Sequence, residues 1–392
     1  MKLSPQDLDI CCGHLKDETA QAASVSQPIS TPIHQTSLFS FDRFEDLSHG
    51  LANEFTIPVY SRGRNPSMTS VEQKLAALEQ GEACKLFASG MGVISAAVTA
   101  VVSQGDHILF VNQVYGPTIQ LATQLARFGV TFTSITSGNL SEAEQAIQPN
   151  TKLIWFESPG TMTFTQLDIR ALVAIAQARG ILTGIDNTWA TPLLQKPITM
   201  GVDIVAHSLT KYIGGHSDVV AGALITREAL LKDIFFKTFL LNGAAIGPMD
   251  AYLIERGLRT LPVRLAQHEA NGLAVAQFLQ EQNTVETVFH PALQQDASVP
   301  EEQLQGYTGL FSFSLKQNDY ATVAAVLNAL KHFRMGVSWG GFESLAISPQ
   351  RPDNAEALKH AGLPQGLIRL SVGLESAGTL INDLSQALSH AK

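Results

Sequence analysis

Between residues 83 and 206 the chain alternates short apolar runs with stretches of helical periodicity, and this alternation limits its possible folds more than any other feature. Short apolar runs bounded by turn residues predict buried strands. Strands that alternate with helices predict an α/β fold built on a mainly parallel, doubly wound sheet. The runs cover residues 84–88, 107–111, 130–135, 153–156, 181–185 and 203–206.

The rest of the chain predicts further regions around this sheet. The N-terminal residues contain several prolines and little periodicity, which indicates an extended arm. Residues 247–279 predict a long helical segment in which Pro248 and Pro262 mark a start or a kink. A smaller α/β domain is predicted by runs and helices at residues 309–315, 320–330, 336–338, 367–372 and from 376 onward. We therefore expect an arm at 1–59, a large domain at 60–258 and a C-terminal domain at 259–392.

Composition and charge exclude several classes of partner. The chain has 392 residues and a net charge of −9, which gives no basic surface for nucleic acid or an anionic membrane. The three cysteines, Cys11, Cys12 and Cys84, show neither metal-ligand spacing nor an even disulfide set. Residues 86–105 are uncharged but too rich in Ser, Thr and Gly to predict a membrane span. Because the sequence shows no secretory leader, we expect a cytoplasmic location.

Lys211 and Asp186 form the most informative pair of polar residues. Asp186 ends an apolar run, and Lys211 follows the next run in His207-Ser-Leu-Thr-Lys-Tyr-Ile-Gly-Gly-His-Ser-Asp218. A lysine amine can hold an aldehyde cofactor as a Schiff base, and a carboxylate can keep a pyridine nitrogen protonated. Alone, the lysine fits a surface position and the aspartate fits a helix cap. Together they predict a pyridoxal phosphate site.

Other polar residues also follow the ends of predicted strands, where ligands gather in open α/β sheets. Gly90 and Met91 open a helix, whose backbone amides can bind phosphate, although glycines there also serve simply as turn residues. Ser208 and Thr210 can add hydroxyl donors to the same phosphate. Tyr115 can stack on a flat ring or pack beneath a turn.

Arg369 lies inside an apolar run, where it can either grip a substrate carboxylate with two hydrogen bonds or face solvent. The segment Ser338-Trp339-Gly-Gly341 predicts a loop near it. His207 and His216 flank Lys211 without metal-ligand spacing, so we expect structural hydrogen bonds and no metal.

The assembled motifs resemble the Cys/Met metabolism family of fold-type I pyridoxal phosphate enzymes, the cystathionine lyase and synthase group. The resemblance covers nearly the whole chain. It rests on Tyr60-Ser-Arg62 with Asn65-Pro66, Phe87-Ala-Ser-Gly-Met91, Val114-Tyr-Gly116, Asp186-Asn-Thr188, His207-Ser-Leu-Thr-Lys-Tyr212, Arg256-Gly-Leu-Arg-Thr-Leu261 and Gly340-Gly-Phe-Glu-Ser-Leu345.

The resemblance implies pyridoxal 5′-phosphate as cofactor and a role for each matching residue. Lys211 would bind the cofactor and carry protons, Asp186 would lie at the pyridine nitrogen, and Tyr115 would stack on the ring. The phosphate would meet Gly90, Met91, Ser208 and Thr210, and the substrate carboxylate would meet Ser338, Trp339 and Arg369. Tyr60 and Arg62 would reach the phosphate of the neighbouring subunit, which implies a dimer with shared active sites and usually a dimer of dimers.

Three motifs are similar to those of bacterial cystathionine β-lyases within this family, namely Asp186-Asn-Thr-Trp189, Glu157-Ser-Pro-Gly160 and Ser338-Trp-Gly-Gly341. The resemblance thus implies a carbon–sulfur β-lyase that cleaves L-cystathionine, or related cysteine S-conjugates, to a thiol, pyruvate and ammonia. Val337 departs from the family, because some β-lyases carry tyrosine there and γ-acting members carry glutamate. A γ-lyase or γ-replacement synthase is the alternative enzyme, and a non-catalytic cofactor-binding protein is the alternative of another class. A nicotinamide-binding protein would need a Gly-x-Gly-x-x-Gly turn, which the sequence lacks.

Overall fold

The computed structural model describes residues 1–13, 28–294 and 297–391. Within these residues, seven strands form a large sheet and five form a smaller one. The large sheet comprises β1 (Ala83–Phe87), β2 (His107–Val111), β3 (Thr131–Ile135), β4 (Thr151–Phe156), β5 (Leu182–Asp186), β6 (Ile204–Ser208) and β7 (Gly222–Thr226).

The large sheet is mixed and mostly parallel, with the strand order β1-β7-β6-β5-β4-β2-β3. Strands β6, β5, β4, β2 and β3 run parallel, whereas β7 runs antiparallel to both β6 and β1. The expected α/β fold with a mainly parallel sheet is confirmed. Strand β7 was not expected from the sequence. The chain returns from β6 to β7 through the segment that carries Lys211 rather than through a helix.

The helices alternate with these strands and cover both faces of the sheet. Before and within the large sheet they are α1 (Pro5–Cys12), α2 (Phe44–Ala52), α3 (Pro66–Glu79), α4 (Gly90–Val101), α5 (Gly116–Leu125), α6 (Leu140–Gln145), α7 (Ile169–Gln177), α8 (Thr191–Leu194), α9 (Glu228–Ile234) and α10 (Leu240–Asn242). They are followed by α11 (Pro248–Gln280), α12 (Tyr320–Ala329), α13 (Ala355–His360) and α14 (Ala377–Leu388). A π-helical turn, Phe235–Phe239, joins α9 to α10.

The predicted N-terminal arm contains more regular structure than expected. Helix α1 begins after Ser4, whose side chain accepts a hydrogen bond from the Asp7 N–H at 3.0 Å, and it packs against α3 and α11. A helix of eight residues is too short to show periodicity in the sequence, which explains why it was missed. The arm is therefore not uniformly extended.

The uncharged segment 86–105 is a strand end followed by α4, which packs against β6 and β7. One face of α4, including Val93, Ile94 and Ala97, is buried. Across the described part of the chain, none of the helices combines the length and the apolar character that a membrane crossing requires.

The smaller sheet has the order β10-β11-β12-β9-β8. Its strands are β8 (Val285–Phe289), β9 (Leu310–Leu315), β10 (Arg334–Met335), β11 (Leu345–Ile347) and β12 (Leu367–Ser371). The runs expected at 309–315 and 367–372 are strands, but the strand expected at 336–338 is wrong. Strand β10 ends at Met335, and the Val337 carbonyl then accepts a hydrogen bond from Arg369 Nη2 at 3.0 Å instead of extending the ladder.

Helix α11 connects the two sheets and confirms the long helical segment expected at 247–279. Pro262 lies inside this helix without ending it. The expected domain boundary at 258/259 falls within α11, and the division into 1–59, 60–258 and 259–392 stays a prediction.

Helix α11 also packs directly on the turn that carries Lys211. A Cβ atom at Gly257 would lie 2.4 Å from the Ile213 oxygen and 2.5 Å from the Gly214 oxygen, so a side chain does not fit there. Arg264, further along the same face of the helix, donates to the Tyr212 oxygen at 2.6 Å and to the Ile213 oxygen at 3.3 Å. The helix therefore holds the backbone immediately after Lys211.

We expect Gly257→Ala to destabilise the protein, although alanine normally stabilises a helix interior by roughly 0.5–1 kcal/mol over glycine. The new methyl group would clash with the two carbonyl oxygens, and overpacking of this kind costs about 1–3 kcal/mol. Urea unfolding measures the change. Gly378→Ala in α14 is the matched control, since its Cβ would meet only Ser376 Oγ at 3.7 Å. A Gly257→Ala midpoint at or above that of the wild type would contradict the close packing.

Candidate active site

A cavity of about 270 Å³ lies beyond the carboxyl ends of the parallel strands and brings together most of the predicted site residues. In such sheets this edge is the usual place for a ligand. The predicted residues that line it are Gly90, Met91, Tyr115, Asp186, Ser208, Thr210, Lys211, Trp339 and Arg369. Ser338 joins them through a hydrogen bond to Lys211. Residues from both sheets thus build one site.

Lys211 places its amine at the junction of the two sheets. Its Nζ donates to Ser338 Oγ at 2.8 Å and lies 5.4 Å from the centroid of the Trp339 ring. Burial, and then the positive charge of Arg369, lowers the pKa of Lys211 to about 8, while the negative charge of Asp186 opposes both. The amine therefore loses its proton at a much lower pH than an ordinary lysine, as a nucleophile requires.

The loop at residues 336–341 covers the lysine turn at close range. Gly340 has φ +80°, and a Cβ there would lie 2.7 Å from the Tyr212 nitrogen. Only glycine adopts this conformation readily and leaves room for the neighbouring backbone. The Gly340 N–H donates to Ser371 Oγ at 3.1 Å, which ties the loop to β12.

Asp186 is the last residue of β5, and Thr188 holds one oxygen atom of its carboxylate. Its Oδ1 atom accepts hydrogen bonds from the Thr188 N–H at 3.0 Å and from the Thr188 hydroxyl. Burial raises the pKa of Asp186, and the bonds from Thr188 oppose that rise. The nearby His207 makes a structural contact, since its Nε2 lies 2.6 Å from Glu79 Oε1 and both side chains are buried.

Glu157 is a cavity residue that the sequence analysis recognised only as part of a family motif. Its Oε1 accepts a hydrogen bond from the Tyr115 N–H at 2.5 Å, and its side chain is buried. Burial, and then the negative charge of Asp186, raises the pKa of Glu157 well above its ordinary value. Glu157 follows β4 directly, so the rule that polar residues gather at strand ends could have identified it. It fixes the backbone that presents the half-exposed Tyr115 ring to the cavity.

The start of α4 forms another wall of the cavity. Ser89 Oγ caps this helix by accepting from the Gly92 N–H at 3.0 Å, and the amides of Gly90 and Met91 have no acceptor within the helix. A Cβ at Gly90 would lie 2.8 Å from the Ser208 Cβ, so the helix end rests against the end of β6. Two elements thus present donors to one anion-sized space.

The hydroxyl of Thr210 is held by Ala221. Its Oγ1 donates to the Ala221 oxygen at 3.2 Å and accepts from the Ala221 N–H at 3.1 Å. These bonds tie the lysine turn to the residue before β7 and use the single hydroxyl proton, so Thr210 would donate to a phosphate only after releasing the Ala221 oxygen.

Arg369 lies on β12 and faces the cavity rather than solvent. Its Nη2 donates to the Val337 oxygen at 3.0 Å and to the Ser338 oxygen at 3.4 Å. Burial lowers the pKa of Arg369 to about 10. Arg369 therefore remains a cation at neutral pH and stands next to the Lys211 amine.

Two predicted site residues are not brought to this cavity within one chain. Tyr60 and Arg62 are exposed and do not line it, and the Arg62 guanidinium carbon lies 5.6 Å from the centroid of the Tyr60 ring. Within residues 1–13, 28–294 and 297–391, no group of three or more His, Cys, Asp and Glu side chains is placed to hold a metal ion.

The donor set of the cavity fits pyridoxal phosphate. Lys211 offers an amine with a pKa of about 8, Asp186 offers a half-buried carboxylate, and Tyr115 offers a half-exposed aromatic ring. The start of α4 offers backbone amides for a phosphate. An aldehyde, a pyridine nitrogen, a flat ring and a phosphate each have a suitable partner here.

Comparison with known proteins agrees with this fit. A family model for the Cys/Met metabolism PLP-dependent enzymes matches residues 14–389. The chain belongs to this family. Its cofactor is therefore pyridoxal 5′-phosphate (PLP), and its fold is fold-type I.

Several curated relatives align over almost their full length. The chain is 39% identical over 369 residues to an L-methionine gamma-lyase of Fusobacterium nucleatum subsp. nucleatum, covering 92% of this chain and 93% of the relative. It is 38% identical over 371 residues to an L-methionine gamma-lyase of Porphyromonas gingivalis, covering 92% of each chain. It is also 38% identical over 369 residues to a cystathionine beta-lyase of Lactococcus lactis subsp. cremoris, covering 92% of this chain and 94% of the relative. This family member is thus similar to enzymes that carry two different names.

The lowered pKa of Lys211 predicts how PLP uptake depends on pH. Only a neutral amine attacks an aldehyde, so the rate at which the cofactor-free protein takes up PLP should rise through about pH 8 and level off above it. Cofactor absorbance follows the uptake, and borohydride reduction with peptide mapping should place the adduct on Lys211. Arg369→Met removes a positive charge that lowers this pKa, so its midpoint should move to higher pH. A wild-type rate that climbs steadily to pH 10 would contradict a desolvated amine.

Proposed function

We propose that this PLP enzyme is a carbon–sulfur β-lyase that cleaves L-cystathionine, or related cysteine S-conjugates, to a thiol, pyruvate and ammonia with the consumption of one water. One observation supports it most. Lys211 Nζ is the only amine among the described residues that line the cavity, and it stands beside Arg369, the group suited to a substrate carboxylate.

In this proposal each predicted residue keeps its role. Lys211 would bind the cofactor aldehyde, Asp186 would meet the pyridine nitrogen, and Tyr115 would stack on the ring. The phosphate would be bound by Gly90, Met91, Ser208 and Thr210, and the substrate carboxylate by Ser338, Trp339 and Arg369.

Bound PLP supplies an electron sink that stabilises negative charge at the substrate α-carbon. Arg369 would orient the α-carboxylate. Ser338 Oγ, 2.8 Å from Lys211 Nζ, would position the Lys211 amine, which is free once the substrate amine has replaced it at the aldehyde, to remove the α-proton. A pKa near 8 suits Lys211 to both accepting and returning a proton at neutral pH. Lys211 Nζ or the Tyr115 hydroxyl then protonates the departing thiolate sulfur.

The rim of the cavity favours β-elimination. A γ-elimination needs a second proton transfer, at the β-carbon, and benefits from a further acid–base group. Val337 lies at the rim with a side chain that is 81% exposed, and it can neither accept nor donate a proton. A β-elimination needs only the single removal of the α-proton by Lys211.

A γ-lyase acting on L-methionine is the second candidate, and the names of the relatives favour it. Lys211 would then have to carry out both proton transfers. Its place beside Ser338 and Arg369 suits the first transfer equally well in either reaction.

We also propose that two copies of the chain share their active sites, in a dimer that pairs further into a tetramer. Tyr60 and Arg62 are exposed outside their own cavity, which is consistent with reaching the cavity of a neighbour. The same region exposes large apolar side chains, since Leu38 is 57% and Phe44 is 78% exposed. Contact with a second copy would remove the apolar surface of these side chains from water.

The products identify the reaction. With L-cystathionine, we expect the PLP-loaded enzyme to release pyruvate and homocysteine, which chromatography of the keto acid and thiol would identify. Release of 2-oxobutyrate and cysteine, together with methanethiol from L-methionine, would instead support the γ-lyase. Lys211→Ala is the control and should release no keto acid. An intact PLP-loaded protein that releases no keto acid from either substrate would contradict a catalytic function.

Mixed dimers test the shared site. Arg62→Ala should lower PLP affinity about tenfold or more, because a charge-assisted hydrogen bond to phosphate is lost. Lys211→Ala chains are combined at random with Arg62→Ala chains, at a PLP concentration too low to load Arg62→Ala alone. Half of the dimers are then mixed, and one site in each holds both intact residues. About one quarter of the wild-type activity should therefore return. Normal PLP affinity in Arg62→Ala, or no recovery in the mixture, would count against sharing.

A further inference from the structure

A second cleft, of about 400 Å³, lies on the smaller sheet between α12 and the strands β10 and β11. Its walls are mostly apolar and include Val323, Leu327, Met335 and Ile347. None of the described residues that line the cleft carries a charge. The cleft therefore suits an uncharged, apolar group.

Val337 joins this cleft to the active site, because it lines both the cleft and the catalytic cavity. Its position is fixed, since its carbonyl oxygen accepts from Arg369 Nη2 at 3.0 Å while its side chain is 81% exposed. The next residue, Ser338, touches the Lys211 amine. Val337 therefore borders the cleft, and the residue after it contacts the Lys211 amine that would act on the substrate.

The catalytic cavity is too small for a bulky substrate to be enclosed completely. Its volume of about 270 Å³ lies below the roughly 300–1,000 Å³ of typical ligand pockets, and the cofactor must share it with the amino-acid part of the substrate. A large group on the substrate sulfur must therefore extend out of the cavity across its rim. Val337 offers an apolar exit, and the cleft continues beyond it.

We propose that this cleft is a subsite for the apolar S-substituent of a cysteine S-conjugate, such as a benzyl or long alkyl thioether. The inference rests on the proposed lyase function and names its substrate class. An apolar substituent buries its surface in the cleft without a charged partner. The second amino group and second carboxylate of cystathionine would stay in solvent at the rim, because the cleft has no ion-pair partner for them among its described residues.

The test compares kcat/KM for S-benzyl-L-cysteine with kcat/KM for S-methyl-L-cysteine, which is too short to reach the cleft. Ala324 lines the cleft, and Ala324→Trp would fill it. We expect the benzyl-to-methyl ratio to fall about tenfold, in the range for losing a hydrophobic pocket contact. Ala357→Trp is the matched control, at an exposed position on helix α13 outside the cleft, and its ratio should equal that of the wild type.

Met335→Gln provides a second variant that does not depend on fitting a large side chain. Met335 is 67% exposed at the edge of the cleft, so the change introduces polarity without disturbing a core. The benzyl-to-methyl ratio should fall here as well. Ratios that match the wild type in both Ala324→Trp and Met335→Gln would overturn the subsite.

Two other outcomes distinguish a failure of the subsite proposal from a failure of the lyase proposal on which it rests. A protein that cleaves neither conjugate would overturn the lyase proposal and the subsite with it. If both conjugates are cleaved but Ala324→Trp lowers both rates equally and dissociates the oligomer, the cleft holds a second subunit. That outcome would overturn the subsite and leave the lyase function intact.

Discussion

The removal of water from the Lys211 amine is the condition on which the rest of the site depends. An exposed lysine is almost never neutral at pH 7, whereas burial lowers the pKa of this amine to about 8 and so makes a much larger fraction of it neutral. Three distant segments provide the cover, namely the end of β6, the loop at 336–341 and helix α11. The two sheets must therefore be assembled before the chain has a suitable nucleophile.

The position of α11 is itself fixed by a buried ion pair. Lys74 on α3 lies 3.1 Å from Glu255 on α11, with both side chains 1% exposed, and Arg259 adds a further contact at 3.3 Å. Removing one member of such a pair leaves a buried charge and costs about 3–5 kcal/mol. Because Glu255 lies two residues before Gly257, the ion pair fixes the helix register in which Gly257 meets the lysine turn.

The sequence predicts best where a local pattern has only one structural solution. The apolar run that leads to Ser208 is short and ends at turn residues, which favours a buried strand and places Lys211 just beyond the strand end. The direction of a strand cannot be predicted from such a pattern. The segment Gly222–Thr226 is as apolar as its parallel neighbours, and it runs antiparallel because of the path that the chain takes to reach it. The strand wrongly expected at 336–338 failed because a distant residue, Arg369, takes the Val337 carbonyl. Such long-range hydrogen bonds leave no local trace in a sequence.

Some site residues could likewise be predicted from their local chemistry, whereas others depend on contacts that only the fold creates. Lys211 and Asp186 could be predicted because their chemistry is specific, whereas Glu157 acts through the backbone of Tyr115, a contact that only the fold creates. Lys211 and Arg369 suit the amino-acid end that all candidate substrates share. The groups that would distinguish these substrates lie at the rim, where Val337 borders both the cavity and the apolar cleft. A choice among thioethers would therefore be made by packing at the rim, while one amine performs the proton transfer common to all of them.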